Sequence, residues 1–187
     1  MAREVYIIGT DPGFASFGLS VIRLTPKSEE VVETLVIRTQ KSVKKLNVKA
    51  VDDNFRRAQA IAAALYEIVN KWKPMALTAE SMSFPRNSSA ASKVAMVWGI
   101  LALLCNIFQL PMVQATPQEI KKRLCDNKSA TKEQIRVALE RMYPGQFDPF
   151  KDSTAAGQWE HGFDAAGSVV ACMDTDVLRM ARGMCEG

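Results

Sequence analysis

Four side chains in this sequence are of the types that bind divalent cations. Asp11 follows an apolar run and precedes a Pro-Gly pair, and Glu80 ends a second apolar run. His161 and Asp164 stand three positions apart near the end of the chain. Carboxylate oxygens with one imidazole suit magnesium or manganese better than zinc. If the four side chains met, they would have the chemistry of a site that holds two such ions about 4 Å apart and hydrolyses a phosphodiester.

Each of these side chains also has an ordinary structural explanation. Asp-Pro-Gly is common turn chemistry. Glu80 can be a solvated strand end, His161 a surface residue, and Asp164 an acid that stabilises the start of a helix. Only their meeting in one pocket would favour metal binding over these alternatives.

Two strands at the beginning of the chain are expected to position Asp11. A β-prone run at Val5, Ile7 and Ile8 is followed, after Gly18, by a second run that contains Leu19 and Val21. Turn residues separate the two runs, which predicts an antiparallel hairpin with Asp11 at the exit of its first strand. The segment 29–40 offers a third strand, so we expect three antiparallel strands at one side of a sheet.

Helices and strands alternate along the rest of the chain, which predicts an α/β fold. The pattern predicts, in order, a helix from Asn54 to Trp72, a central strand at 75–81, an apolar helix from Ser89 to Gln109, a strand at 111–115, helices that begin at Thr116 and Thr131, an irregular segment from Gly145 to Gly157 and a helix from about Glu160 to Arg182. Reactive groups in such sheets collect beyond the carboxyl ends of the strands. We therefore expect Asp11, Glu80 and the start of the last helix to meet there.

Composition limits the kind of protein this sequence encodes. With 187 residues and 48% hydrophobic content, one domain over residues 1–187 is expected. The four cysteines form no C-x-x-C pair, so neither a zinc site nor a disulfide framework is indicated. The apolar run from Val94 to Cys105 is too short to span a bilayer, and charged residues interrupt the N-terminus. We expect a cytoplasmic protein that makes no membrane contact.

Basic residues are concentrated in two stretches, although the net charge is only +4. The first holds Arg38, Lys41, Lys44, Lys45, Lys49, Arg56 and Arg57, and the second holds Lys121, Lys122, Arg123, Lys128, Lys132, Arg136 and Arg141. Such stretches are typical of proteins that contact a phosphate backbone. An ordinary solvated basic surface is the alternative.

The sequence resembles the RuvC-type Holliday junction resolvases of the ribonuclease H-like superfamily over most of its length. The motifs that carry the resemblance are GTDPGFASFGLSVI with Asp11, VIRTQ, TAES with Glu80, ATPQEIK with Lys121, SATKEQ with Lys132, and EHGFDAAGSVVA with His161 and Asp164. The resemblance implies a ribonuclease H-like mixed five-stranded sheet, with three antiparallel strands and then parallel strands, flanked by helices.

The resemblance also implies a magnesium-dependent endodeoxyribonuclease that cuts four-way DNA junctions by symmetric paired nicks, in recombination and repair. Asp11, Glu80, His161 and Asp164 would bind two Mg²⁺ ions per active site, and Mn²⁺ could substitute for them. Members of the family carry Asp or His at the position of His161, so the histidine agrees with the pattern.

Further residues are implied to contact DNA or a second subunit. Lys121 and Lys132 match two basic residues that the family uses on the junction. The family's junction-opening aromatic, three residues after the catalytic Glu, is replaced here by Ser83, and Phe84 follows it with Arg86 nearby. The helix from Ser89 to Gln109 matches the family's dimerisation helix, which implies a homodimer.

Other functions stay open at this point. A related ribonuclease H-like nuclease could act on RNA or on other branched DNA, because a metal site does not choose its substrate. A binding module would recognise branched DNA without cutting it. An actin-like ATPase or sugar kinase would need two phosphate-binding turns, and this chain has one. Whether a branch-migration motor is a partner, and which sequence is cut, the motifs do not say.

Overall fold

Runs of β-branched and apolar residues form a mixed five-stranded sheet at the centre of the protein. The structure is a computed structural model that describes residues 4–43, 48–82 and 87–185. The strands are β1 (Val5–Asp11), β2 (Ser16–Leu24), β3 (Glu29–Arg38), β4 (Ala76–Glu80) and β5 (Met112–Ala115). Their order across the sheet is β3-β2-β1-β4-β5. β1, β2 and β3 pair antiparallel, and β4 and β5 run parallel to β1. This arrangement confirms the predicted fold class, the opening hairpin and the central position of β4.

Two long helices cover one face of the sheet. They are α1 (Ala50–Trp72) and α2 (Ser88–Phe108). Ile61 of α1 and Leu101 of α2 are fully buried in the same apolar cluster as Leu77 of β4. The apolar stripe that predicted α1 therefore faces the sheet, as in other amphipathic helices.

The first turn of α1 starts earlier than the predicted Asn54. Its Asp52 and Asp53 suit the positive end of a helix. Asp53 also accepts a hydrogen bond of 2.7 Å from the Ser42 hydroxyl and one of 2.9 Å from Arg56. These contacts bind the β3–α1 connection to the helix. The helix was predicted from the spacing of its apolar residues. Its first turn makes polar contacts instead, so this spacing did not include it.

The opposite face of the sheet is covered by shorter helices that share a second apolar core. Within the described residues they are α3 (Pro117–Cys125), α4 (Lys132–Met142), α5 (Asp148–Ser153), α6 (Trp159–Cys172) and α7 (Asp176–Gly183). Nine residues of α6 are buried, which makes α6 the central helix of this layer. Thr116 and Thr131 each form the capping box that their sequences predict at the starts of α3 and α4.

Two sequence predictions on this side were wrong. The segment from Gly145 to Gly157, expected to be irregular, contains α5 and a short 3₁₀ turn at Ala156–Gln158. Phe150 of α5 is 3% exposed. A six-residue helix with one buried side chain is too short to show a helical period, so the pattern missed it.

The predicted helix from Glu160 to Arg182 is in fact two helices, α6 and α7. The Thr175 hydroxyl donates a 2.6 Å hydrogen bond to the carbonyl oxygen of Cys172, where α6 ends. The chain turns there, and Leu178 and Ala181 of α7 return to the core. Polar side chains form this break. The apolar spacing of the sequence continues across it, and so predicted a single helix.

α2 has an apolar surface that the chain itself does not cover. The apolar run from Val94 to Cys105 was judged too short to span a bilayer, but the whole helix is longer: by length and composition it is the one helix in the described part of the chain that could cross a membrane, and 17% of its most apolar window is buried. Leu103 is 60% exposed and Ile107 is 55% exposed. One such helix is weak support for a membrane segment, because core and interface helices meet the same criterion.

Candidate active site

Asp11 and Glu80 end neighbouring parallel strands. Thr10 of β1 pairs with Ala79 of β4. The next residues of the two strands, Asp11 and Glu80, therefore lie side by side. Side chains alternate between the faces of a strand. Gly9 of β1 contacts α6, and so Asp11, two positions later, is directed to the same face.

α6 lies against the backbones of β1 and β2 because glycines leave room for it. A Cβ atom on Gly9 would stand 2.1 Å from the carbonyl oxygen of Ala165, and one on Gly18 would stand 2.0 Å from that of His161. Any side chain at these positions would push the helix outward. From its place in the sequence, Gly18 was interpreted only as a turn residue, although a glycine inside a strand also indicates close backbone approach.

His161 is hydrogen bonded directly to Asp11. The distance from His161 Nδ1 to Asp11 Oδ2 is 2.7 Å. This hydrogen bond raises the pKa of His161 above its usual value, against a smaller opposing effect of burial. With Nδ1 engaged by the Asp11 carboxylate, the other ring nitrogen, Nε2, stands 3.9 Å from Glu160 Oε1.

The carboxyl groups of Glu80 and Asp164 are hard to ionise where they lie. Burial raises the pKa of Glu80 to about 7, and the negative charges of Asp164 and Asp11 add to the effect. Burial likewise raises the pKa of Asp164 to about 6, and repulsion from Asp11 contributes. The three acids therefore interact electrostatically, and the positive charges of Lys132, Lys121 and His161 only partly offset their burial and repulsion. A cation placed among them would relieve this repulsion.

Two lysines add positive charge to the same volume. The amine of Lys132 forms an ion pair with Glu160 and stands 3.6 Å from Oδ2 of Asp164. The charges of Lys132 and Lys121 both act to lower the pKa of Glu80. Both lysines predicted from the sequence therefore act electrostatically on the acidic group. Phe84 and Arg86 lie outside the described residues.

The donors present fit a hard divalent cation, although the side chains do not surround one. Among the described residues, no three His, Cys, Asp or Glu side chains are close enough together to hold a metal ion as they stand. Asp11 is bonded to His161, and Asp164 lies next to Lys132. Oxygen donors with one imidazole, and acids whose repulsion a cation would relieve, nevertheless match magnesium or manganese.

Arg57 supports the turn that follows Asp11, a role that the sequence analysis missed. Its guanidinium lies 4.5 Å over the ring of Phe14, and its Nε donates a 3.0 Å hydrogen bond to Thr39 Oγ1. The Thr39 hydroxyl in turn donates to the carbonyl oxygen of Phe14 at 2.6 Å. Arg57 is 4% exposed. Its assignment to a basic surface that contacts phosphate was therefore wrong, because its charge is buried.

The sequence model of the family described as crossover junction endodeoxyribonuclease RuvC matches residues 7–155. The chain belongs to the RuvC family. A RuvC of Prochlorococcus marinus (strain MIT 9303) is 30% identical over 135 residues, which cover 72% of this chain and 81% of that protein. A RuvC of Natranaerobius thermophilus is 26% identical over 149 residues, which cover 80% of this chain and 87% of that protein.

Solved structures of RuvC and of a related resolvase share the fold. RuvC of Thermus thermophilus in complex with a Holliday junction substrate superimposes with a TM-score of 0.71 at 19% identity, covering 96% of this chain and 97% of that chain. The yeast mitochondrial Holliday junction resolvase Ydc2 gives 0.65 at 11% identity, covering 96% of this chain and 84% of that chain. These similarities show that the chain shares the fold of these resolvases, with a mixed five-stranded sheet flanked by helices.

The RuvC family model stops before α6. Its match ends at residue 155, so it includes Asp11 and Glu80 but not His161 or Asp164. The case for the last two therefore depends on their geometry: the 2.7 Å contact between His161 and Asp11 and the repulsion between Asp164 and Asp11.

Proposed function

We propose that this RuvC-family endodeoxyribonuclease resolves Holliday junctions, cutting the four-way DNA by symmetric paired nicks. The observation that carries the proposal is the convergence of acids at the carboxyl ends of β1 and β4, where Asp11, Glu80 and Asp164 repel one another. Nucleases of this family require a divalent metal. We assign Asp11, Glu80, His161 and Asp164 as the residues that would hold two Mg²⁺ ions.

When bound, the ions would supply the Lewis acidity that activates a water molecule and stabilises the leaving oxygen, and Mn²⁺ could replace Mg²⁺. The residues of the chain do the rest. The Nδ1–H of His161 orients the Asp11 carboxylate. Lys121 and Lys132 add positive charge beside the acids and would attract the phosphate backbone, since both act electrostatically on Glu80.

A symmetric dimer would explain how two strands are cut in concert. We assign the interface to α2, whose Leu103 and Ile107 are more than half exposed in a single chain. A two-fold axis through α2 would give two equivalent active sites on one junction. A single domain over 1–187, a cytoplasmic, nucleoid-associated location and a branch-migration motor as partner belong to the same proposal.

Asp11→Asn is the variant that tests the assigned site. It should lower cleavage of a synthetic four-way junction in Mg²⁺ by more than about 100-fold, because even the loss of an outer-shell partner costs about 10–100-fold. Gel-shift binding of the junction should be largely retained. Asp152→Asn, the same change at an exposed acid of α5, should leave cleavage unchanged. Normal cleavage by Asp11→Asn would remove Asp11 from the site.

The same assay decides between the junction and other substrates. A nuclease of this fold could instead prefer other branched DNA or RNA, since metal chemistry does not select the substrate. The wild-type protein should nick a mobile four-way junction at symmetric positions and leave a Y-fork, a linear duplex and a structured RNA largely intact. Equal cutting of the fork would favour the alternative.

A further inference from the structure

Two buried hydroxyl groups join α6 to the sheet next to the acids. Oγ1 of Thr78, in β4, lies 2.8 Å from Oγ of Ser168, in α6, and both residues are 0% exposed. The Ser168 hydroxyl donates a 2.7 Å hydrogen bond to the carbonyl oxygen of Ala165. A hydroxyl has one proton to donate, so the Thr78 hydroxyl is the donor to Ser168.

The hydroxyl pair meets the helix where its backbone lies closest to β1. Thr78 pairs with Gly9 across the two parallel strands. The carbonyl oxygen of Ala165, which accepts the hydrogen bond from Ser168, is also the atom that a Cβ on Gly9 would meet at 2.1 Å. The Thr10 hydroxyl donates a 2.9 Å hydrogen bond to the carbonyl oxygen of Thr78. Both strands and the helix are therefore linked around this one point.

The acids lie one structural repeat away from this point along both elements. Glu80 follows Thr78 by two positions on the same face of β4. Asp164 precedes Ser168 by four positions on the same face of α6. Two strand residues span about 6.6 Å, and four helix residues span about 6 Å. Because the two spacings nearly match, a helix held at Ser168 brings Asp164 towards Glu80, and the two charges interact.

This hydrogen bond fixes the position of α6 more specifically than its apolar contacts do. Phe163 and Val169 of α6 are buried in the core, but the hydrophobic effect has no preferred direction. A hydrogen bond between two hydroxyls prefers a separation of about 2.7–2.8 Å. Sliding of α6 along β4 would break the link between Thr78 and Ser168 and leave a buried polar group unpaired, which is unfavourable.

We propose that Thr78 and Ser168 are positioning residues, which set how far α6 lies along the sheet and so place His161 and Asp164 against the acids of the strands. The inference rests on the proposed function, because it concerns the same assigned ligands. The two hydroxyls are buried and act only through the helix. Loss of the link should therefore weaken cation binding while every assigned ligand is still present.

Thr78 allows a matched pair of variants. Thr78→Val keeps the shape of the side chain and removes its hydroxyl, whereas Thr78→Ser keeps the hydroxyl and removes a methyl group. If Thr78 served only to fill the core, Thr78→Ser would be the more harmful change. Ser20→Ala is the control, because Ser20 is also 0% exposed and its hydroxyl lies 3.0 Å from that of Thr34, between β2 and β3.

Electron paramagnetic resonance of Mn²⁺ measures cation binding without DNA or cleavage. Thr78→Val should bind Mn²⁺ about tenfold more weakly than the wild type, at the lower end of the effect of outer-shell partners. Thr78→Ser and Ser20→Ala should keep the wild-type affinity. Junction cleavage by Thr78→Val should recover in excess Mg²⁺. Wild-type Mn²⁺ affinity in Thr78→Val, or weaker binding by Thr78→Ser than by Thr78→Val, would overturn the inference and leave the proposed function intact.

Amide hydrogen exchange in EDTA tests the seating of the helix without any metal. Exchange within α6 should be about tenfold faster in Thr78→Val than in the wild type, and unchanged in Thr78→Ser and Ser20→Ala. Wild-type exchange in α6 of Thr78→Val would also contradict the inference. A wild-type protein that binds no Mn²⁺ would count against the proposed function, and the exchange comparison would still decide whether the hydroxyl pair positions α6.

Discussion

At the scale of single residues, the acids of the site work against the stability of the metal-free protein. Glu80 and Asp164 are buried close to each other and to Asp11, and burial and repulsion raise their pKa values to about 7 and about 6. Ionising them near neutral pH costs free energy in the fold, because the same groups ionise freely in the unfolded chain. The protein therefore keeps an electrostatic strain that binding of a cation would relieve.

This strain predicts a pH-dependent effect of Glu80→Gln. The pKa of Glu80 rises from 4.5 in an ordinary setting to about 7 in the fold. The protonated form is favoured in the folded state, so the wild type should lose stability relative to the variant as pH rises from about 4.5 through 7. In EDTA at pH 8, Glu80→Gln should be more stable by about 1–2 kcal/mol, a value reduced for solvent screening.

Urea denaturation at pH 5 and pH 8 would measure this difference, which should narrow at the lower pH. Mg²⁺ at pH 8 should stabilise the wild type and have little effect on Glu80→Gln. Glu67→Gln, at an exposed position of α1, is the control and should behave as the wild type. A destabilised Glu80→Gln in EDTA would contradict the role assigned to this carboxyl group.

The sequence singled out Asp11, Glu80, His161 and Asp164, and in the structure His161 contacts Asp11 while Glu80 and Asp164 interact electrostatically with it. Other residues could not be interpreted in this way. Arg57 stood in a basic stretch with Arg56, yet only Arg57 is buried against Phe14. Glu160 gave no signal at all, because its ion pair with Lys132 joins residues 28 positions apart. Contacts of this kind depend on the tertiary fold.

At the scale of secondary structure elements, the spacing of the site depends on how closely α6 approaches the sheet. Gly9 and Gly18 allow the helix backbone to touch two strands, and the helix carries both His161 and Asp164. A helix whose backbone contacts the sheet directly is held more rigidly than one that contacts it through long side chains, because protein interiors are closely packed. His161 and Asp164 on α6 therefore keep a fixed distance from the strand ends.

Gly18→Ala should disturb the site through this contact. The new Cβ atom would meet the carbonyl oxygen of His161 at 2.0 Å, which neither backbone can avoid without moving. We expect a loss of about 1–3 kcal/mol in the free energy of unfolding, together with a large loss of junction cleavage. Gly183→Ala, where a Cβ would meet nothing within 4 Å, serves as control. Denaturation and cleavage measured together would test this, and full activity of Gly18→Ala would be the contrary result.

The antiparallel pairing of the first three strands and the position of α1 followed from the sequence because their periods are sustained. The C-terminal half was harder to predict. α5 spans six residues, too few for a period to show, and the apolar stripe continued through the break between α6 and α7. The break is made by a hydroxyl-to-carbonyl hydrogen bond at Thr175, which an apolar pattern does not register.

At the scale of the whole molecule, the exposed apolar surface of α2 is the feature that favours self-association. A chain that leaves Leu103 60% exposed and Ile107 55% exposed on one apolar helix has a surface suited to self-association. Four-way DNA has approximate two-fold symmetry, which a two-fold dimer would match. Paired nicking would then be a property of the assembly and not of one chain.

Replacing Leu103 and Ile107 together by Lys should yield a monomer. Two charges on each copy of a symmetric interface would face one another, which is strongly unfavourable. Light scattering after gel filtration should show half the wild-type mass, and junction cleavage should produce single nicks without the second. Met180→Lys, at a 71% exposed position of α7, should stay dimeric. A double variant that is still dimeric would place the interface elsewhere.

The four assigned ligands come from two separate supports. Asp11 and Glu80 belong to the sheet, and His161 and Asp164 to one helix laid across it. Slight undocking of α6 would thus halve the ligand set in a single event, before any strand separates. Cleavage should therefore be lost at a lower temperature than the one at which the protein unfolds. The difference between these two temperatures would measure how stably α6 is docked on the sheet.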